Sequence, residues 1–148
     1  MIVIRSNHSI HISDEVLFIL DKYKQNHYQN ESGGIILGYV YEDNNIYISK
    51  ISEPNSSDKA SRYRFERDRK AAQIIVNSEF YKSEGKVIYL GEWHTHPEPI
   101  PSPSFTDIKM IKEQYKNNRI NESFLILIIQ GTTDLYLGLY NGKQLINN

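Results

Sequence analysis

Four prolines at alternate positions, 97, 99, 101 and 103, follow directly on Glu92-Trp93-His94-Thr95-His96, and no other stretch constrains this chain as much. Each proline fixes its own φ and pushes the residue before it towards extended geometry, so the run is a stiff excursion. Ile88 to Leu90 ahead of it predict a strand, which Pro97 stops because proline cannot donate to a ladder. In an extended segment His94 and His96 share a face. The excursion ends at Ser104, a good helix N-cap, with Asp107 three residues on. Strand end, rigid loop and helix start can therefore bring two imidazoles and a carboxylate together. Such a set, with room left for water, is the pattern of a catalytic zinc site. The same residues admit plainer readings: an exposed polar strand face, and a Ser-x-x-Asp capping box in which Asp107 bonds back to the N-cap amide.

The pattern also resembles a known motif. His94-Thr95-His96-Pro97, six residues, then Ser104-Phe105-Thr106-Asp107 looks like the JAMM motif of the MPN-domain (MPN+) metalloproteases. The resemblance implies that His94, His96 and Asp107 hold one zinc ion per chain and that Ser104 helps stabilise an oxyanion. It also implies an acid–base glutamate ahead of a glycine-rich apolar strand, and Glu31-Ser32-Gly33-Gly34-Ile35-Ile36-Leu37-Gly38 matches that requirement. The resemblance runs from about Glu31 to Leu139. Gly33 and Gly34 have two roles open to them, tight strand packing and close approach of backbone to a substrate.

Composition narrows the alternatives. A chain of 148 residues suits one domain spanning 1–148. The net charge of −1 provides no field favouring nucleic acid or an anionic membrane. The absence of cysteine excludes disulfides, thiolate zinc sites and a cysteine nucleophile, together with the Cys-x-x-Cys half of a zinc deaminase signature. Phe124 to Ile129, the longest apolar run, is far too short to span a bilayer, and the N-terminus does not read as a signal peptide. A soluble, cytoplasmic protein is expected.

Along the chain, Ile2 to Ile4 predicts a strand, and Ser13 caps a helix expected to run to about Tyr28. His8, His11 and His27 lie around it with no spacing that links them to the motif. Gly33 to Val40 and Ile46 to Ile51 predict paired strands across an Asp43-Asn44-Asn45 turn. Ser52 to Ser61 reads as a polar loop, and the mixed charges from Arg62 to Lys70 as a solvated face or a dock for an acidic partner. A helix is expected from about Asp68 to Tyr81, the motif strand over Val87 to Trp93, and a helix over Phe105 to Tyr115. Ser123 to Gln130 predicts a buried strand, and Asn141-Gly142 a type I′ hairpin turn joining Asp134–Tyr140 to Lys143–Ile146. The order is that of a mixed α/β (α+β) domain with antiparallel hairpins. The family resemblance sharpens this to an MPN fold, cytidine-deaminase-like, with a curved, largely antiparallel sheet flanked by helices.

The chemistry so implied is amide hydrolysis without a covalent intermediate, with Glu31 moving the proton. Within the family the chain is similar to the stand-alone bacterial branch in Tyr89-Leu90-Gly91-Glu92-Trp93-His94-Thr95-His96-Pro97 and in Arg67-Asp68. That branch includes the deconjugating protease of CBASS anti-phage operons, which sits beside a fused activating-and-conjugating enzyme. The partners so implied are the C-terminal tail of a ubiquitin-like or carrier-like protein with its conjugate, and a bacterial activating and conjugating system. Alternatives are a peptidase that trims sulfur carriers, a metal-free MPN scaffold, and an iron oxygenase. Scaffold members typically lose ligands that this chain keeps, and the oxygenase order of His-x-acid with a distant His is not found here.

Overall fold

Leu125–Gln130 is apolar at every position but the last and buried throughout, which requires a strand covered on both faces. The computed structural model describes residues 1–26, 28–118 and 120–148. Its elements run β1 (Ile2–Arg5), β2 (His8–Ile12), α1 (Asp14–Lys22), β3 (Gly33–Tyr41), β4 (Asn45–Ile51), β5 (Lys59–Ser61) and β6 (Arg64–Glu66), then α2 (Arg69–Lys82), β7 (Ile88–Thr95), α3 (Phe105–Asn117), β8 (Leu125–Gln130), β9 (Leu135–Tyr140) and β10 (Leu145–Ile146). Eight strands form one sheet in the order β1-β2-β4-β3-β7-β8-β9-β10, and β5 and β6 form a separate hairpin. Among the described residues only β2–β4 and β7–β8 pair in parallel. The sheet curls until Arg5 Nε on edge strand β1 donates to the Leu137 carbonyl on β9 at 2.8 Å.

Helices cover both faces. On one, Val16 and Leu20 of α1 pack onto Ile10, Ile36, Ile46, Ile48, Trp93, Ile126 and Ile128. On the other, Ala72 of α2 meets Ile35 and Leu37, and Ile111 of α3 meets Leu125, Leu127 and Ile129. All three helices have the side-chain caps their sequences offer, Ser13, Asp68 and Ser104. No described helix is long and apolar enough to cross a membrane.

Several expectations need correction. The first helix ends at Lys22 rather than near Tyr28, and Gln25 beyond it is buried with its amide turned to other segments. His8 and His11 lie in a strand, with His11 stacked on Tyr47 at 4.3 Å and bonded to Asn45; His27 lies outside the described residues. Asp43 and Asn44 have φ of 65° and 60°, as a type I′ turn needs. At Asn141-Gly142 only the glycine has positive φ, and the Asn141 side chain accepts from the Lys143 and Gln144 amides, so the expected type I′ turn is an Asx turn. The polar loop and charged run after Ser52 hold the β5–β6 hairpin, too short to register as alternation.

The strand that carries the histidines contains a bulge. Ile36 pairs with Gly91 and Leu37 with Tyr89, leaving Leu90 as an extra residue. Leu90 and Trp93 therefore both face the α1 side, while Tyr89 and Glu92, three residues apart, share the other face. At Gly91 a Cβ would meet the Ile126 carbonyl oxygen at 1.9 Å and the Ile126 carbonyl carbon and amide nitrogen at 2.7 Å. Gly91→Ala should therefore lose at least ~3 kcal/mol of stability, the upper end of ordinary overpacking. Chemical denaturation should show the lowered midpoint.

Candidate active site

β3 and β7 run antiparallel with Gly33 opposite His94 and Gly34 opposite Trp93. Extending that register sets Ser32 against Thr95, whose amide donates to the Ser32 carbonyl at 2.9 Å, and Glu31 against His96. Same-face neighbours across an antiparallel pair come within contact. Donor atoms of Glu31, His94 and His96 accordingly lie within 4.8 Å of one another, and all three residues are buried. His96 stays aligned past the end of β7 because its amide donates to the Gln130 carbonyl at 3.0 Å.

The proline run delivers the fourth group. The Glu98 carbonyl accepts from the Thr132 amide, and the Pro99 carbonyl from the Thr133 and Asp134 amides, which pins the loop to the end of β8. α3 then starts at Ser104, whose Oγ accepts from the Asp107 amide at 3.1 Å while Asp107 Oδ2 accepts from the Ser104 amide at 2.8 Å. Asp107 also faces the imidazoles: Oδ1 lies 3.0 Å from His94 Nε2, and Oδ2 lies 3.1 Å from His96 Nε2. The capping box therefore does not prevent Asp107 from facing both imidazoles. The two Nε2 atoms are 3.2 Å apart.

These spacings fit a metal ion. Bonds of about 2.0–2.1 Å in a tetrahedron put neighbouring donors roughly 3.3 Å apart. Two imidazole nitrogens and a carboxylate suit zinc and several other divalent ions alike. Oδ2 accepts the cap bond, whereas Oδ1 takes no part in the cap and is open to a ligand bond.

A residue that sequence reasoning missed completes the arrangement. His96 Nδ1 donates to Glu98 Oε1 at 2.9 Å, which turns Nε2 towards the cluster. The available signal was an acid two residues past a candidate ligand, with only Pro97 between. Thr95 points away, donating to Gln25 Oε1 and accepting from the Ser32 amide, and Trp93 is core with its Nε1 on the Ser52 carbonyl. A side chain on Gly33 would strike the Phe65 ring, and one on Gly34 would strike Ser52, so both glycines serve close packing.

Behind His94, Glu92 forms a buried salt bridge. Arg67 Nε and a terminal nitrogen donate to its two oxygens at 2.7 and 3.2 Å, and the Tyr89 hydroxyl donates to Oε2. Arg67 also donates to Gln114 of α3 at 3.2 Å. Arg67 is therefore neither a solvated residue nor a dock for a partner; it ties α3 to β7.

Burial sets the charge states, opposed or helped by neighbours. Burial pushes the Glu31 carboxyl up to about 8, with Asp107 adding and His96 opposing. For His96 burial pulls downward, but hydrogen bonds to Asp107 and Glu98 outweigh it and raise the group to about 9. Burial would raise Asp107, yet the His94 and His96 imidazoles hold it well below the usual carboxylate range.

A family model described as prokaryotic homologs of the JAB domain matches residues 17–137, and the chain belongs to that family. It is 39% identical over 133 residues to a CD-NTase/cGAS isopeptidase of Escherichia coli (strain TW11681), covering 89% of this chain and 81% of the relative. A Vibrio cholerae protein of the same name is 37% identical over 128 residues, covering 86% and 79%. A probable metalloprotease of Sinorhizobium fredii is 33% identical over 84 residues, 55% of this chain and 51% of the relative. The solution structure of protein DSY2949 from Desulfitobacterium hafniense superposes with a TM-score of 0.66 at 17% identity, covering 92% of this chain and 87% of that one, which speaks to the fold alone. The protein is an enzyme of the JAMM type, a metal-dependent peptide-bond hydrolase of the isopeptidase class.

Two expectations follow. Arg67→Ala strands the Glu92 carboxylate in a buried setting and should cost about 3–5 kcal/mol, read from thermal and denaturant unfolding. Without metal, His96 is protonated below about pH 9, whereas a ligating imidazole must be neutral. Metal uptake at neutral pH should therefore release at least one proton, and apparent affinity should rise up to tenfold per pH unit towards pH 9 and then level off. Calorimetric titration with a divalent metal in buffers of different ionisation enthalpy measures both effects.

Proposed function

We propose that this chain, acting as one domain over residues 1–148, is a zinc isopeptidase that cuts the amide bond after the C-terminal residue of a carrier-like protein tail, releasing the conjugated partner. The observation that carries the reading is the convergence of Glu31, His94, His96 and Asp107 at one buried point between β3, β7 and α3. The names of the relatives support a conjugate of a CD-NTase as substrate and a CBASS-type anti-phage system as setting.

His94, His96 and Asp107 Oδ1 would hold the ion. Once bound, it would supply Lewis acidity towards the scissile carbonyl and towards a water, whose pKa such an ion brings to about 7. Glu31 takes the proton from the attacking water and passes one to the leaving amine. Its carboxyl, at about 8 without metal, is drawn towards the ionised form by a nearby cation. Ser104 carries the oxyanion role: its Oγ already accepts from the Asp107 amide, and its hydroxyl proton is left to donate to charge developing on the carbonyl oxygen. Glu98 keeps His96 in the ligating tautomer.

An open cleft of about 400 Å³ reaches this point between Arg62 and Tyr63 on one side and Pro97 to Ser104 on the other. β3 and β8 occupy both sides of β7, so the motif strand itself offers no free edge. The unpaired edges near the cleft belong to the β5–β6 hairpin, which is joined to the site by the Glu31 amide donating to the Ser61 carbonyl at 2.7 Å. An extended tail can add to such an edge by main-chain hydrogen bonds.

The test uses a CD-NTase with a folded reporter joined by an amide to its C-terminus, alongside the isolated tail peptide. The wild type should cut once, after the C-terminal residue, and cut the peptide poorly, because contacts with the folded body position the bond. Glu31→Gln should fold, keep its zinc and lose ~10²-fold to 10⁴-fold in turnover. His94→Ala should lose both zinc and activity. Full zinc in His94→Ala by elemental analysis, or near-normal turnover in Glu31→Gln, would contradict the assigned roles.

A further inference from the structure

The tip of the β5–β6 hairpin holds a cation whose donors have no acceptor among the described residues. Arg62 is half-buried and lines the cleft alongside Glu31, His96 and Ser104. Its guanidinium makes no hydrogen bond or ion pair with any described residue; it lies over the Tyr63 ring, with Cζ 5.1 Å from the ring centroid. Its Nε is enclosed and unpaired. Arg5 and Arg67, by contrast, spend their donors on main-chain carbonyls or on Glu92 and Gln114. A buried donor without an acceptor is destabilising, so its retention beside a reactive centre calls for a ligand.

The backbone of the same residue is firmly held. The Arg62 carbonyl accepts from Gln25 Nε2 at 2.7 Å, and Gln25 in turn accepts from Thr95, the residue between the two histidines. The preceding Ser61 carbonyl accepts from the Glu31 amide. Arg62 is thus anchored to the acid–base residue and to the motif strand while its donors stay free. Tyr63, beside it in the cleft lining, is 72% exposed.

We propose that Arg62 is a substrate-positioning residue whose Nε–H and a terminal N–H donate to a main-chain carbonyl oxygen of the bound tail, on the carrier side of the scissile bond. This rests on the isopeptidase reading above. A carbonyl is favoured over an acidic side chain because the carboxyl groups of Glu31 and Glu98 already line the same cleft. An extended peptide along the hairpin presents carbonyls whatever its sequence.

The experiment compares Arg62→Ala, Arg62→Gln and Arg62→Lys on the same CD-NTase–reporter substrate, with zinc content and thermal midpoint measured for each. The glutamine amide nitrogen is attached to Cδ, as arginine Nε is, so Gln keeps a neutral donor at that place; Lys keeps the charge but carries its donors one atom further out, with none on Cδ. Ala should raise KM by about tenfold or more with kcat within about threefold, the signature of lost uniform binding. Gln should recover most of the loss, Lys should behave like Ala, and zinc content should be unchanged in all three. Rescue by Lys and not by Gln would overturn the proposal in favour of charge attraction to an acidic tail. Wild-type kinetics in Arg62→Ala, or a loss confined to kcat, would overturn it as well. Failure of the wild type to cleave would remove the isopeptidase reading and this inference with it, whereas wild-type cleavage with an indifferent Arg62 removes this inference alone.

Discussion

The antiparallel register of β3 on β7 is the constraint on which the rest depends. With Gly33 opposite His94, Glu31 falls opposite His96, and a carboxyl from one segment meets imidazoles from another more than sixty residues away in sequence. A slip of one residue would turn Glu31 to the opposite face. The register is held by packing as well as by ladder bonds: Phe65 lies where a Gly33 side chain would be, Ser52 where a Gly34 side chain would be, and Trp93 bonds to Ser52 from the far side. The Leu90 bulge then sets which face β7 presents to α3.

Asp107 joins two structural demands in one carboxylate. Oδ2 completes a capping box and Oδ1 turns to His94. The start of α3 therefore cannot move without moving a prospective ligand. Proline stiffness and the bonds from residues 132–134 to the loop carbonyls reduce the freedom the loop would otherwise lose on binding metal. At the other end of α3, Gln114 is tied through Arg67 to Glu92 on β7. The helix is held to the motif strand at two points, and the imidazoles lie by the first.

Substrate access is set by a part of the chain with little core of its own. The β5–β6 hairpin has three residues in each strand, all exposed but one, and depends on the hydrogen bonds of Glu31 and Gln25 for its position. A weakly packed element supplying the free strand edge beside a rigid site suits capture of a flexible tail. Central strands such as β7 have both edges occupied and cannot serve.

The sequence by itself determined the donor types, their order, the caps and the long apolar strands, because those follow from local spacing: His-x-His in a strand, proline stiffness, Ser-x-x-Asp at a helix start, an apolar run of strand length. His94, His96, Ser104 and Asp107 were legible for that reason, and Glu31 was legible through the family pattern. Only the tertiary structure decided that Glu31 meets His96, that Glu98 orients that imidazole, that Arg67 is buried against Glu92, and that the free edge belongs to β5–β6. Each of these depends on pairing between distant segments or on a one-residue bulge. Neither leaves a local periodic signal, since a bulge breaks the alternation from which strand faces are read, and a charged residue in a mixed run looks the same whether it ends in solvent or in a buried pair.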